Sequence, residues 1–217
     1  AFRVAGVSPA AGTGRVQAWA RRQARRVVAA HADADLVGVT LRGAPLPGQG
    51  TPTQTLDGVQ VAATWRRTVD GWQVRAPRLR VGGAGGGNAM DGVAVDVGQR
   101  VQVQAPRLEV GPLLQLLALG EVAPPALRAW LRQAAPGGIL HHVRLNGQRG
   151  GRLQASARAE ALGFAPVRNS PGVRGLSGWL QGDDQGLRMR FDRAAQAAFD
   201  WPAGFGVVHE FRLDGEA

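Results

Sequence analysis

One stretch of sequence occurs twice, and it limits the fold more than any other feature. Trp72 to Gly83 reads WQVRAPRLRVGG, and Val101 to Pro112 reads VQVQAPRLEVGP. The two align without gaps. Each follows an Asp-Gly-Val opening, at Asp57 and at Asp91. Within each copy apolar and polar residues alternate with period two, the mark of a strand with one apolar and one wet face. Asp70-Gly71 between Val59–Trp65 and Trp72–Val81 is a tight-turn signal. The repeated unit is therefore a β-hairpin about 30 residues long, and repeats of that period stack into extended sheets. The proline in each copy, Pro77 or Pro106, has no N–H to give to a ladder. Each is expected at a bulge where the inward face changes parity, so that Trp72 and Val74 share a face with Leu79 and Val81.

The same alternation runs through most of the chain. Leu36–Arg42 alternates on Val37, Val39 and Leu41. Val93, Val95 and Val97 lead to Val101, Val103, Leu108 and Val110. Beyond residue 137 it reappears at Ile139, Val143 and Leu145, at Leu153, Ala155, Ala157, Ala159 and Ala161, at Leu187, Met189 and Phe191, and at Val207–Leu213. Sheets with one apolar face are antiparallel. Between them, Gly111-Pro112 opens PLLQLLALG and Pro124-Pro125 opens ALRAWLRQA, closed by Gly120 and by Pro136-Gly137-Gly138. Proline in the first turn and glycine beyond the last predict two short helices packed on the sheet, with Trp130 buried near Leu116 or Leu117. Near the N-terminus, Val16, Trp19, Ala20, Ala24 and Val27 make an apolar stripe at helical spacing among Arg21, Arg22, Arg25 and Arg26, and Thr13 stands where a cap would. This predicts an amphipathic helix over Arg15–His31.

The expected organisation is one continuous, mainly β domain: a helical segment over 1–35, repeated hairpins over 36–111, two short helices over 112–136, and a β-meander over 137–217. The chain has 32 glycines in 217 residues, about twice the usual share, which suits many turns and a curled sheet.

Catalytic chemistry finds no foothold. There is no cysteine, so no thiolate nucleophile, thiolate metal site or disulfide exists. His141 and His142 are neighbours on a strand and point to opposite faces, so one strand cannot aim both at a metal. Gly82–Gly87 lacks the Gly-Lys-Ser/Thr ending of a phosphate loop and reads as a linker. Asp183-Asp184 sits in a turn pattern. No serine has a nucleophile–base setting. The expectation is a non-enzyme without cofactor or metal.

The net charge is +10, and with lysine absent all 26 basic residues are arginine. Lack of lysine and tyrosine fits a GC-rich genome. Apart from Arg21–Arg26 the arginines alternate singly with apolar residues, as on a solvated sheet face, so nucleic acid is not the expected partner. A membrane-surface role for Arg21–Arg26 stays open. No run of about 18 apolar residues crosses a membrane. The chain starts at Ala1-Phe2-Arg3 without Met or a signal pattern, which reads as a piece of a longer protein.

From Glu109 to Phe191 the motifs PPALRAWL, PGGIL and LGFAPV…PGVRGLSGWLQGD resemble the central region of YhdP-type AsmA-like proteins, and Val59–Val110 resembles them more loosely. The resemblance implies a large Gram-negative envelope protein: an inner-membrane anchor outside this segment, and a periplasmic body built as a repeating, curled β-groove. It implies phospholipid as ligand, moved between inner and outer membranes, and no enzymatic activity.

On that reading the residues expected to line a lipid trough are Val59, Val61, Trp65, Trp72, Val74, Leu79, Val81, Val101, Val103, Leu108, Val110, Val143, Leu145, Leu153, Ala155, Ala157, Ala159, Leu187, Met189 and Phe191. The alanines 155–159 offer either room for acyl chains or a close approach of another element. The alternatives are an envelope scaffold with an ordinary packed core, or arginine-mediated binding of an anionic polymer.

Overall fold

A computed structural model describes residues 5–48, 50–82, 90–193, 195–213 and 215. The linker expected at Gly82–Gly87 lies outside the described residues from position 83 on. Twelve strands form one antiparallel sheet. In chain order they are β1 (Ser8–Gln23), β2 (Arg26–Arg42), β3 (Thr53–Arg67), β4 (Trp72–Gly82), β5 (Val93–Val97) and β6 (Arg100–Glu109). After the helices α1 (Val110–Leu119) and α2 (Pro125–Ala134) come β7 (Gly137–Gln148), β8 (Leu153–Phe164), β9 (Gly172–Asp183), β10 (Leu187–Phe191), β11 (Ala195–Asp200) and β12 (Val208–Leu213).

Each strand up to β9 pairs with its neighbour in sequence, and β10 and β11 share the far side of β9. The sheet does not close: β1 and β12 are its free edges. Five hairpin tips, at 24–25, 68–71, 98–99, 149–152 and 184–186, fall on one side of the sheet. The loops at 43–52 and 165–171, the β11–β12 turn at 201–207 and both helices fall on the other.

The two repeat copies form β4 and β6, each the second strand of a hairpin. Both prolines do what a missing donor requires. Val61 pairs Leu79 and Trp65 pairs Val74, with the register shift between Ala62 and Thr64 opposite Pro77. Because Val61, Ala63 and Trp65 alternate on β3, Leu79 and Val74 point to the same side despite their odd and even numbers. In β6, Ala105 pairs Val143 and Arg107 pairs His141. Pro106 thus faces His142, whose φ is +52°. Both strands carry the extra residue, so Leu108 and Leu140 rejoin the face of Ala105 and Val143.

The N-terminal segment is not a helix. Arg15–His31 forms the β1–β2 hairpin, with Val16 opposite Ala34, Ala18 opposite Ala32 and Ala20 opposite Ala30. The turn residues Ala24 and Arg25 have φ of 45° and 65°, the conformation of a two-residue type I′ turn. Alanine and arginine favour helix only slightly, by tenths of a kcal/mol per residue. The ladders of β2 to β1 and, from Ala29 on, to β3 hold that strand and override the preference. Asp33 and Asp35, just beyond the segment expected to be helical, stand mid-strand in β2.

Both short helices are present, slightly longer than expected. Trp130 of α2 is half-buried and its ring lies 5.5 Å from that of Phe164. Phe164, the last residue of β8, is thus the aromatic partner of Trp130.

Candidate functional site

The register assigns every inward side chain to one continuous face. Across ten strands one row of partners reads Ala20, Ala30, Trp65, Val74, Val95, Val103, Leu145, Ala155, Gly182 and Leu187. Nothing charged interrupts it. The row on the opposite face reads Arg21, Ala29, Arg66, Gln73, Asp96, Gln102, Asn146, Gln154 and Asp183. One side of the sheet is apolar from edge to edge and the other is wet.

The wet face neutralises much of its own charge. Arg75 holds Asp96 with both contacts at 2.9 Å, and Arg158 holds Asp192 at 2.8 Å. Arg80–Asp91 and Arg107–Glu109 pair at 3.4 and 2.9 Å. His141 lies 2.7 Å from the Glu160 carboxylate. The Asp183 carboxylate accepts from the backbone N–H groups of Gln185 and Gly186, so the Asp-Asp pair closes a turn.

On the apolar face, the helices cover only the loop end. Val39, Leu56, Val81 and Met90 form a buried cluster, and Leu113 and Leu116 of α1 pack on it with Leu36, Val59, Leu79 and Leu108. Gly38, at φ +61°, lets Leu36 and Val39 reach that cluster together. The helices are locked by Arg128 of α2, which is 3% exposed. Its guanidinium donates to the carbonyls of Ala118 (3.0 Å), Leu119 (3.1 Å), Ala44 (2.5 Å) and Pro45 (3.4 Å). The last carbonyls of α1 have no partner within the helix, and Arg128 supplies one.

Toward the hairpin tips none of the described residues lies over the apolar face. Val61, Trp65, Val74, Val95, Val103 and Leu145 all remain half-exposed, and Leu187 is 68% exposed. The accessible area of the chain is 13629 Å². A compact monomer of this mass exposes about 9,600 Å². The excess is what a single-layer sheet with one uncovered apolar face produces.

Of the residues expected on the lining, all but one lie on this face, but not all are open. Val110 is the first residue of α1 and lines no strand. Val81 is buried beneath α1, with Val59, Leu79 and Leu108 packed against the same cluster. Ala157 and Ala159 are 6% and 0% exposed, and Met189 is 9%. The small side chains leave no space: Ala159 pairs Leu140 and, through Gly178, adjoins Phe191, while Ala157 pairs Leu180, which in turn pairs Met189. Ala155, Val61, Trp65, Trp72, Val74, Val101, Val103, Val143, Leu145, Leu153, Leu187 and Phe191 keep exposed surface.

The helical reading of the N-terminus hid the largest addition, Val16, Ala18 and Ala20 of β1 with Ala30, Ala32 and Ala34 of β2. The signal was present: AAHADAD alternates alanine with His31, Asp33 and Asp35.

A family model described as YhdP protein matches residues 4–212. The chain belongs to the YhdP family. It is thus an AsmA-like protein of the Gram-negative envelope. The match reaches from the β1–β2 hairpin to β12, so the hairpin read as helical belongs to the family's pattern too. Neither the curated proteins nor the solved structures gave a match. Among the described residues no helix is long and apolar enough to cross a membrane.

Proposed function

We propose that this chain is a periplasmic part of an inner-membrane-anchored YhdP-family protein that binds or conducts phospholipid acyl chains between the inner and outer membranes. It works as a non-enzymatic surface, without cofactor or metal, and phospholipid rather than nucleic acid is its ligand. The anchor lies outside this segment.

The observation that carries the reading is the row from Ala20 to Leu187, apolar across ten strands and uncovered near the tips. Soluble proteins rarely leave an apolar patch of this extent open without a partner for it. Acyl chains suit it because they need no hydrogen-bonding groups, and each methylene removed from water contributes about 0.8 kcal/mol. A strip whose one side-chain donor is the Trp65 indole N–H holds lipids without fixing them in place, which transport requires.

Native mass spectrometry of the purified 217-residue chain tests this. Phospholipid should remain bound after gentle ionisation and be identified on release. A chain that carries no lipid, and takes none up from vesicles, leaves an envelope scaffold as the reading.

A further inference from the structure

We infer that the arginine-rich row of hairpin tips holds the phosphate of a phospholipid whose tails lie on the apolar face. The lipid then stands along the strands, headgroup at the tips and tail ends toward α1. The inference rests on the lipid reading above and adds an orientation and a headgroup site to it.

The first tip carries Arg21, Arg22, Arg25 and Arg26. The second carries Arg66 and Arg67, and Arg67 pairs Trp72 on an apolar row. Arg100, Arg149 and Arg152 follow on the third and fourth. Asp70 is the acid within the turns of these four tips; Asp96, level with Arg21 and Arg66, is taken up by Arg75, and the fifth tip carries Asp183 and Asp184. Among the described residues none of these arginines is in an ion pair. Arg66 meets only the neutral Gln73, at 2.8 Å. Farther from the tips, Arg75, Arg80, Arg107 and Arg158 of the wet face are matched with carboxylates, while Arg78, Arg144, Arg188 and Arg190 are in no ion pair among the described residues. The opposite margin mixes signs, with Glu121 and Asp200 among Arg42, Arg132 and Arg168. Positive charge is therefore most concentrated at the first four tips.

The tips also form a connected row. The Arg149 N–H donates to the Gln99 carbonyl at 2.9 Å. Gly71 sits so close to the next tip that a Cβ there would lie 1.8 Å from the Val97 oxygen. A hollow between these tips is lined by Asp70, Gln99, Arg100, Gln148 and Arg149. Guanidinium groups make paired hydrogen bonds to phosphate oxygens.

Length supplies the third argument. From Trp65 to Val59, where α1's cluster begins, β3 makes six rises, about 20 Å of open apolar strand. One leaflet of a bilayer is about 15 Å of hydrocarbon. A lipid with its phosphate at the tips thus fits its tails between the arginines and the helix. The reverse orientation would put the phosphate against Leu113 and Leu116.

The test uses the whole chain and phosphatidylglycerol vesicles brominated either near the headgroup or near the chain end. One protein keeps only Trp65 of its six tryptophans, the others being phenylalanine. A second has none of them but carries Val61→Trp, nearer α1. Bromines near the headgroup should quench Trp65 more strongly, and those near the chain end should quench the second protein more strongly. Equal or reversed quenching overturns the orientation. A variant with Arg67→Gln, Arg100→Gln and Arg149→Gln should retain phosphatidylglycerol about tenfold less. Its retention of uncharged diacylglycerol and its melting temperature should not change. Equal loss of both lipids, or no loss of either, overturns the headgroup site while the lipid reading stands. If the unmodified chain retains neither lipid, the lipid reading itself fails and the inference with it. Soluble glycerol phosphate or single-stranded DNA binding as tightly as the lipid, through the same arginines, would show a site for anions in general and overturn the inference.

Discussion

The guanidinium of Arg128 reaches the carbonyl oxygen of Ala44, 84 residues earlier in the chain, and joins α2 to the loop after β2. The same group donates to Ala118 and Leu119 at the end of α1. Among the described residues no carboxylate pairs with it; four carbonyls stand in for one. A buried charge is costly unless its donors are used, and here they go to the Ala118 carbonyl, to the Leu119 carbonyl shared with the Ala44 N–H, and to the loop carbonyls of Ala44 and Pro45. Replacing Arg128 by Met keeps much of the volume but strips the donors. We expect Arg128→Met to destabilise the chain by about 2–4 kcal/mol. Hydrogen exchange should quicken first over residues 110–134. Uniform loss of protection across the whole sheet would mean that the helices are no separate unit.

Ala157 separates a filled surface from an open one. At 6% exposure it pairs Leu180, whose far side pairs Met189. Ala157→Trp should overpack and cost about 1–3 kcal/mol. Ala155, two residues earlier on the same face, is exposed, and Ala155→Trp should change the melting temperature little while lowering lipid retention. Paired thermal melts check both. An unchanged melting temperature for Ala157→Trp would return that position to the open part of the face.

A charge placed on the uncovered strip should separate binding from folding. Val95 lies at the middle of the long row and is half-exposed. In Val95→Glu the carboxylate can still reach water, so the fold should lose no more than about 1 kcal/mol. An acyl chain lying over it would bury that charge without a partner, which hydrocarbon does not tolerate. Lipid retention measured by native mass spectrometry should fall sharply while the melt stays nearly constant. Retention unchanged would mean that lipid, if bound, lies elsewhere.

How much of this was legible depends on whether a local signal agreed with the ladder around it. The repeated proline was informative because a residue without an N–H can occupy few places in a sheet, and Pro77 and Pro106 both mark the parity change. The helices were legible from proline and glycine punctuation. Burial of Ala157 and Ala159 was not, because it depends on Leu140, Met189 and Phe191, two of which reach the site only through β10. The gap between the tips and α1 was likewise invisible, since alternation does not say what covers a face. The N-terminal hairpin was missed for a different reason. Val16, Ala20, Ala24 and Val27 satisfy helical spacing almost as well as Ala30, Ala32 and Ala34 satisfy strand spacing, and its turn, Ala24-Arg25, has no residue that announces one.

That turn gives a test whose sign differs between the two structures. Ala24 and Arg25 hold φ of 45° and 65°, values that cost a residue with a Cβ roughly 1 kcal/mol each. Asn-Gly is the pair best suited to a type I′ turn. The double substitution Ala24→Asn, Arg25→Gly should therefore stabilise the hairpin by about 1–2 kcal/mol. In a helix over Arg15–His31 the same glycine would destabilise by about 1 kcal/mol relative to alanine, and asparagine would add to the loss. Hydrogen exchange at the β1–β2 ladder reads the effect locally, where Trp19 faces His31 at a ring distance of 5.2 Å. Slower exchange on both strands supports the hairpin. Faster exchange, with a fall in helical circular dichroism, would reject it and remove β1 from the sheet.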